Sequence, residues 1–139
     1  MTKPSMSDQM NALVKAVRNE VPDCVAAGVV DMSTGMLLAV DSLDSHPSEV
    51  LDLLAAATFD LFRGRNVFKI EQIFKERRGV LNSSRYFQEI LVNSENLVHL
   101  FMVSPGNEDL VTVAVARSTV NIGMLFAAAR GVLKQFDVK

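Results

Sequence analysis

The chain has 139 residues, of which 49% are hydrophobic and 22% are charged. This length and composition are those of one globular domain, and they exclude a disordered or fibrous protein. The formal net charge of −2 argues against wholesale binding to nucleic acid or to an anionic membrane. The single cysteine, Cys24, cannot form an internal disulfide. Without a secretory signal or a long apolar run, the sequence predicts a cytoplasmic protein, with one domain over residues 7–137 after a flexible lead-in over 1–6.

The first part of the sequence predicts a helix followed by a β-hairpin. Apolar residues recur every three or four positions over 7–20, and Ser7 or Asp8 can cap that helix. A proline then stops the helix, and the small and β-branched residues over 24–31 are typical of a buried central strand. A short turn leads to a second apolar run over 36–40, so the two runs predict a hairpin.

The next predicted helix, over 48–63, has more apolar surface than one sheet can cover. Its polar residues fall within an arc of about 80°, and apolar residues occupy most of the remaining circumference. A domain of this size offers only one sheet, so we interpret the second apolar surface as a contact with another protein chain. The alternative is that the neighbouring segment of the same chain folds back over the helix.

The segment over 66–78 predicts a short helix. Its apolar residues have helical spacing, and it ends in cations just before Gly79, where a helix would stop. An alternating strand or a mobile connection also fits these residues.

The last part of the sequence predicts an antiparallel meander and a final helix. Three apolar runs, over 86–92, 97–103 and 110–116, are separated by turn residues. The first run has mixed polarity on both faces, which is typical of an edge strand with free backbone groups. Thr119 or Asn121 can cap the final helix. The order is α-β-β-α-(short helix)-β-β-β-α, an α+β domain with a five-stranded antiparallel sheet between helices.

No residue pattern indicates a catalytic, metal or cofactor site. His46 and His99 have no sequence neighbours that would identify a metal site or a catalytic triad. The apolar surroundings of Cys24 would raise the pKa of its thiol rather than activate it. The aspartates around the predicted hairpin are typical of turns, and the glycines lack the spacing of a nucleotide-binding loop. We therefore expect neither an enzyme nor a cofactor.

Basic residues are concentrated in one segment. The 23 positions from 63 to 85 hold seven of the fourteen basic residues and two glutamates, so this segment carries +5 and the rest of the chain −7. Such a patch favours docking of an acidic partner surface, and a solvated helix and loop is the alternative. A nucleic-acid site would need aromatic or groove-reading residues among the basic ones. Phe68 and Phe74 could stack on bases, but they suit an apolar helix face equally well, so nucleic acid is not the expected partner. The residues predicted to dock the partner are Arg63, Arg65, Lys69, Arg77 and Arg78.

With this order of elements, the sequence resembles the roadblock/dynein light chain family. The residues that carry the resemblance are Val21-Pro22-Asp23 before the first strand, Gly35 with Met36-Leu37-Leu38-Ala39 in the hairpin, and Asn121-Ile122-Gly123-Met124-Leu125 with Arg130 in the final helix. The resemblance covers almost the whole chain, from about Ser7 to Phe136. The basic stretch from Gly64 to Ser84 departs from the family, whose compact members pass more directly from helix to strand.

The resemblance implies a non-enzymatic homodimer. Family members pair the strand after the second helix with its mate, which places the two second helices side by side on one continuous sheet. In several such assemblies the paired helices bind Ras-like small GTPases, and other members are scaffold or motor-associated subunits. The resemblance therefore implies a regulator or scaffold for a small GTPase or for a motility or signalling complex, without membrane insertion. The residues that this arrangement places at the dimer interface are Val50, Leu51, Leu54, Thr58, Leu61, Phe62, Tyr86, Gln88 and Ile90.

A small-molecule sensor is the alternative function, because profilin-like α+β folds can bind ligands between their helices and sheet. A sensor needs a pocket of roughly 300 Å³ or more with a few convergent polar groups. Val29, Leu37 and Val113 on the inner strands predict a filled core instead. A further alternative, nucleic-acid binding through the basic segment, predicts an affinity that falls steeply with salt.

Overall fold

In the computed structural model, which describes residues 4–43, 48–78, 87–136 and 138, the helices and strands follow the predicted order. The helices are α1 (Met6–Glu20), α2 (Ser48–Arg63), α3 (Arg65–Arg78) and α4 (Ile122–Gln135). The strands are β1 (Cys24–Asp31), β2 (Met36–Ser42), β3 (Glu89–Asn93), β4 (Leu97–Ser104) and β5 (Asn107–Arg117). The α+β class is confirmed, and the segment that also fitted a strand or a connection is the helix α3.

The N-termini of the first and last helices are set by side-chain caps. The hydroxyl of Ser5 accepts a hydrogen bond from the backbone N–H of Asp8 at 3.1 Å, so α1 begins before the predicted start and neither Ser7 nor Asp8 caps it. Asn121 caps α4 as predicted, because its side-chain oxygen accepts from the N–H of Met124 at 3.0 Å.

The hairpin turn between β1 and β2 is organised by Asp31. Its carboxylate accepts hydrogen bonds from the N–H of Ser33 at 2.9 Å and from the hydroxyls of Ser33 and Thr34 at 2.7 and 3.2 Å. Partial burial acts to raise the pKa of Asp31, but these hydrogen bonds outweigh it and hold the pKa below its ordinary value. Gly35 completes the turn with φ 75°, a left-handed conformation that glycine adopts without strain. Asp31 therefore has a structural role.

The five strands form one sheet in the order β2-β1-β5-β4-β3, and all neighbouring strands are antiparallel. β3 lies at an edge as predicted, although it begins at Glu89 rather than at position 86. β5 begins three residues earlier than expected, because Ser104 pairs directly with Asn107 and the chain turns within Pro105 and Gly106.

The two faces of the sheet carry separate apolar clusters. On one face, α1 and α4 cover a core that includes Leu13, Leu100 and Leu125, all 0% exposed. On the other face, α2 packs through its C-terminal half, where the ring of Phe62 lies 6.4 Å from that of Phe101, centre to centre. α2 also contacts α3. The second face is the one on which the candidate interaction surfaces lie.

Candidate interaction surface

The outer side of α2 is open to solvent. Leu53 is 71% exposed and Leu54 is 52% exposed, and Ala56 and Ala57 beside them are exposed too. The opposite side of the same helix, which includes Ala55, is buried on the sheet. α2 therefore has two apolar sides, as its sequence pattern indicated, and its own chain covers only one of them. Neighbouring exposed leucines of this kind are typical of a contact surface.

Two residues predicted at a dimer interface are buried inside the protomer. Phe62 is 1% exposed because it fills the cluster around Phe101, and Thr58 is 2% exposed. The hydroxyl of Thr58 also donates to the carbonyl of Leu54 at 2.8 Å. In this arrangement Phe62 and Thr58 cannot touch a second chain, so their part in the interface prediction is corrected.

The structure describes the burial of only some of the other predicted interface residues. Leu54 and Gln88 are exposed, and Leu61 and Ile90 are half-buried. The side chains of Val50 and Leu51, and the whole of Tyr86, lie outside the described residues. Sequence reasoning missed Leu53, although a signal was present: at 100° per residue, Leu53 lies about 20° from Asp60, just outside the edge of the polar arc of the helix. A large apolar residue next to the polar arc points away from the core of its own chain.

The backbone of β3 offers a second open surface. The carbonyl of Gln88 accepts from the N–H of Val103 at 3.0 Å. Alternate residues of an antiparallel strand turn their backbone groups toward the same neighbour, so Ile90 and Val92 also face β4. No described strand pairs with β3 on its other side. The backbone groups that point to that side, and that form a template for another strand, belong to Glu89, Leu91 and Asn93.

A bidentate ion pair fixes this edge strand to α4. Arg130 donates from Nε and Nη2 to the two carboxylate oxygens of Glu89, at 2.7 and 2.6 Å. Its guanidinium also lies 4.9 Å above the centre of the Phe126 ring. The hydrogen bonds from Arg130 hold the pKa of Glu89 below its ordinary value, against the opposing effect of partial burial. The ion pair thus links the edge strand β3 to α4, which covers one face of the sheet.

Arg63, predicted to dock a partner, is engaged within the chain. Its Nη2 bonds a carboxylate oxygen of Asp109 at 2.8 Å, and its side chain is 25% exposed. This ion pair joins the end of α2 to the start of β5. Arg63 therefore serves as an anchor between α2 and β5 in this structure, and its role in docking a partner stays a prediction.

The remaining docking residues lie on α3. Arg65, Lys69 and Arg77 are exposed, and the side chain of Arg78 lies outside the described residues. α3 also exposes Phe68 by 55% and Ile73 by 50%. The helix holds five cations and two glutamates, so cationic and apolar groups alternate on a surface that continues from the end of α2.

A groove of about 720 Å³ lies between α2 and the sheet. The filled core expected from the inner strands is present around Val29, which is 0% exposed beneath α1 and α4. On the α2 side that expectation is wrong, because Leu37 and Val113 line the groove. A five-stranded sheet is about 19 Å wide and a helix with its side chains about 10 Å, so α2 alone cannot cover this face.

The titratable groups around the sheet show no catalytic arrangement among the described residues. Burial raises the pKa of the Cys24 thiol, as predicted, and its Sγ donates to the carbonyl of Ala26 at 3.2 Å. His99 is half-buried with a pKa lowered by burial, and its ring stacks on Phe101 at 6.4 Å between centres. Within the described ranges, no group of three or more His, Cys, Asp or Glu could hold a metal ion. No helix in those ranges is long and apolar enough to cross a bilayer.

The order of elements, with helices on both faces of an antiparallel five-stranded sheet, defines a roadblock-like domain. The chain is similar to the crystal structure of a Roadblock/LC7 domain from Streptomyces avermitilis, with 14% identity and a TM-score of 0.61 over 90% of this chain and 92% of that one. It is also similar to the gliding protein MglB from Thermus thermophilus, with 17% identity and a TM-score of 0.65 over 98% and 91%. A structure described as MglB with tetrameric arrangement shares 16% identity and a TM-score of 0.67 over 98% and 90%.

These likenesses confirm the predicted roadblock-like fold. No protein-family model and no curated protein matches the sequence. At identities below 25%, the similar structures establish architecture, and what the chain does has to be argued from its own surfaces.

Proposed function

We propose that this protein is a non-enzymatic homodimeric interaction module, in which paired α2 helices and paired β3 strands create a docking surface for a protein partner. The partner is a Ras-like small GTPase or a component of a motility or signalling complex in the cytoplasm. The observation that carries the proposal is the open apolar side of α2, where Leu53 and Leu54 are 71% and 52% exposed.

Self-association is supported by two independent features of the protomer. The exposed leucines of α2 lose unfavourable contact with water when a second copy covers them. The outward backbone groups of β3 gain hydrogen bonds when a second strand pairs with them. The similarity to an MglB with tetrameric arrangement is consistent with self-association.

Partner docking is supported by α3 and by the absence of a catalytic arrangement in the described part of the chain. The exposed cations Arg65, Lys69 and Arg77 give this helix the charge that speeds encounter with an acidic surface. Regulation then acts on the partner's conformation: a surface that binds one of two partner states more tightly shifts the equilibrium by that difference in affinity. No arginine of this chain is assigned to GTP hydrolysis. The similarity to a gliding protein favours a motility system as one setting.

The dimer is tested by placing a charge on the open side of α2. Leu54→Asp, and separately Leu53→Asp, should weaken the dimer by at least about tenfold, because an unpaired carboxylate would be buried at the contact. Light scattering on a sizing column and sedimentation at micromolar concentration measure the effect. Met124→Asp is the matched control, since Met124 is 60% exposed on α4 at the other side of the sheet, and it should remain dimeric.

A wild-type protein that stays monomeric at all concentrations would contradict the proposal. So would a dimer that survives both leucine variants. The partner is then identified by capture on the wild-type protein, with Leu54→Asp as the reference and with the nucleotide bound to any captured GTPase measured. We expect a small GTPase held in one nucleotide state by the wild type alone.

A further inference from the structure

The groove beside α2 has one polar end and one apolar end. Its polar end is formed where β4 begins and β5 ends, and the residues there are Asn96, Arg117, Ser118 and Thr119. Towards the middle of the sheet the lining becomes apolar, with Ala26, Gly28, Leu37 and Val113. His99 lies between the two ends, half-buried on β4. The lining therefore changes from charged to apolar along a single axis.

The charge at the polar end is positive and uncompensated within the described residues. The groove is lined by Arg117, and its described lining contains no aspartate or glutamate. The hydrogen bonds of Arg117 with described residues are made by its backbone: its N–H donates to the carbonyl of Asp23, and its carbonyl accepts from the N–H of Val120. Its guanidinium makes no hydrogen bond or ion pair with a described residue. The ring nitrogens of His99 likewise have no partner among the described residues. This end is complementary to a single negative charge.

The size of the groove suits a small molecule. Its volume of about 720 Å³ falls within the range of about 300–1,000 Å³ found for ligand sites. From Arg117 to Val113 the groove follows β5 for four residues, or about 14 Å. A helix with its side chains is about 10–12 Å across, so the same length of helix would need more than about 1,000 Å³. A helix would therefore lie over the groove, whereas an alkyl chain or a fused ring system fits inside it.

We propose that this groove binds a monoanionic amphiphile, such as a medium-chain fatty acid, with its carboxylate at Arg117 and its apolar body over Gly28 and Val113. Gly28 leaves space at the floor of the groove, where a side chain would be crowded: a Cβ at this position would come within 3.3 Å of the Leu37 side chain. Ser118 and Thr119 also line this end of the groove and can supply hydroxyl donors to the carboxylate. The apolar body removes the groove's lining from water, which is the main source of affinity, and the charge sets the orientation. The groove shares Leu54 and Ala57 with the open side of α2, whereas Leu53 lies outside its lining.

The test uses a fluorescent fatty acid, 11-(dansylamino)undecanoic acid, titrated into the full-length wild-type protein. We expect saturable binding with micromolar affinity and a blue-shifted emission, competed by decanoic acid and at least tenfold less well by decanol. Arg117→Gln should weaken the probe and decanoic acid by about tenfold and leave the affinity for decanol unchanged. Val115→Phe, which places a ring over the half-buried floor, should abolish binding of all three compounds.

Lys134→Gln is the matched control, because Lys134 is an exposed cation on α4 outside the groove, and it should bind like the wild type. The proposal is overturned if the wild type binds no probe, or if neither Arg117→Gln nor Val115→Phe changes the affinity. It is also overturned if only a monomeric Leu53→Asp variant binds, since a second copy would then fill the groove; Leu53 is the variant to use because it does not line the groove. Light scattering on the same samples measures dimerisation separately from probe binding. A dimer that binds no probe would contradict the ligand site but not the proposed interaction module.

Discussion

The two faces of the sheet differ in how completely helices cover them. α1 and α4 cover one face so fully that Leu13, Leu100 and Leu125 are all 0% exposed. On the other face α2 buries Phe62 and Ala55 but leaves Leu53 exposed and the groove open. Two helices, each about 10 Å wide, span a sheet of about 19 Å, and one does not. The closed face therefore supplies stability, and the half-covered face is free to bind.

The largest expected effect compares one leucine on each face. Leu100→Ala should cost about 3–4 kcal/mol of unfolding free energy, because it leaves a cavity in a closed core. Leu37→Ala should cost about 1 kcal/mol, because Leu37 is half-buried beside a groove that is already open. Urea denaturation of both variants, with the slopes compared, measures the difference. Equal costs would show that the α2 side closes over Leu37 in solution.

The next largest effect is expected at the edge strand β3, where a proline substitution removes a single backbone N–H group. Asn93→Pro removes an N–H that points away from β4, so it should weaken the dimer by about tenfold, roughly the worth of one hydrogen bond, and leave the protomer's Tm nearly unchanged. Val92→Pro removes an N–H that bonds β4 and should lower the Tm itself. Sedimentation and thermal unfolding of both variants provide the comparison. If Asn93→Pro leaves dimerisation intact, β3 is not the pairing strand.

The sequence predicts the elements better than it predicts which surface each side chain meets. Periodicity identified α2 and its two apolar sides, because a 100° turn per residue is local geometry. It does not say which side the sheet takes, so Phe62 was assigned to an interface and Leu53 was overlooked. The cap of α1 was also misplaced, since Ser5, Ser7 and Asp8 are all good caps and tertiary packing selects among them.

The candidate groove was not predictable for a related reason. Its volume depends on where a rigid helix settles on a twisted sheet, and no local pattern encodes that position. The polar residues at its end come from the start of β4 and the end of β5, positions 96 and 117, which meet only through strand pairing. Arg130 and Glu89 are likewise distant in sequence and joined by the fold.

The smallest expected effect tests whether that ion pair fastens the open edge to the closed face. Arg130 keeps the pKa of Glu89 below its ordinary value, so the unfolded state binds a proton at a higher pH than the folded state does. The pair therefore stabilises the fold fully above about pH 5, and this stabilisation is lost as the pH falls through the lowered pKa of Glu89. The difference in Tm between the wild type and Arg130→Gln should be small at pH 7 and should decrease further as the pH falls through the lowered pKa of Glu89.

The control for this prediction is Lys134→Gln, which removes an exposed cation from the same helix, and its difference from the wild type should not follow the titration of Glu89. Asp31, whose pKa is also lowered, is present in the wild type and in each variant, so its effect on the Tm cancels in the difference. A Tm difference for Arg130→Gln that stays constant from pH 7 to pH 3 would mean that Arg130 acts by lying over the Phe126 ring. In that case the charge on Glu89 does not hold β3 in place, and the edge is positioned by α4 packing alone.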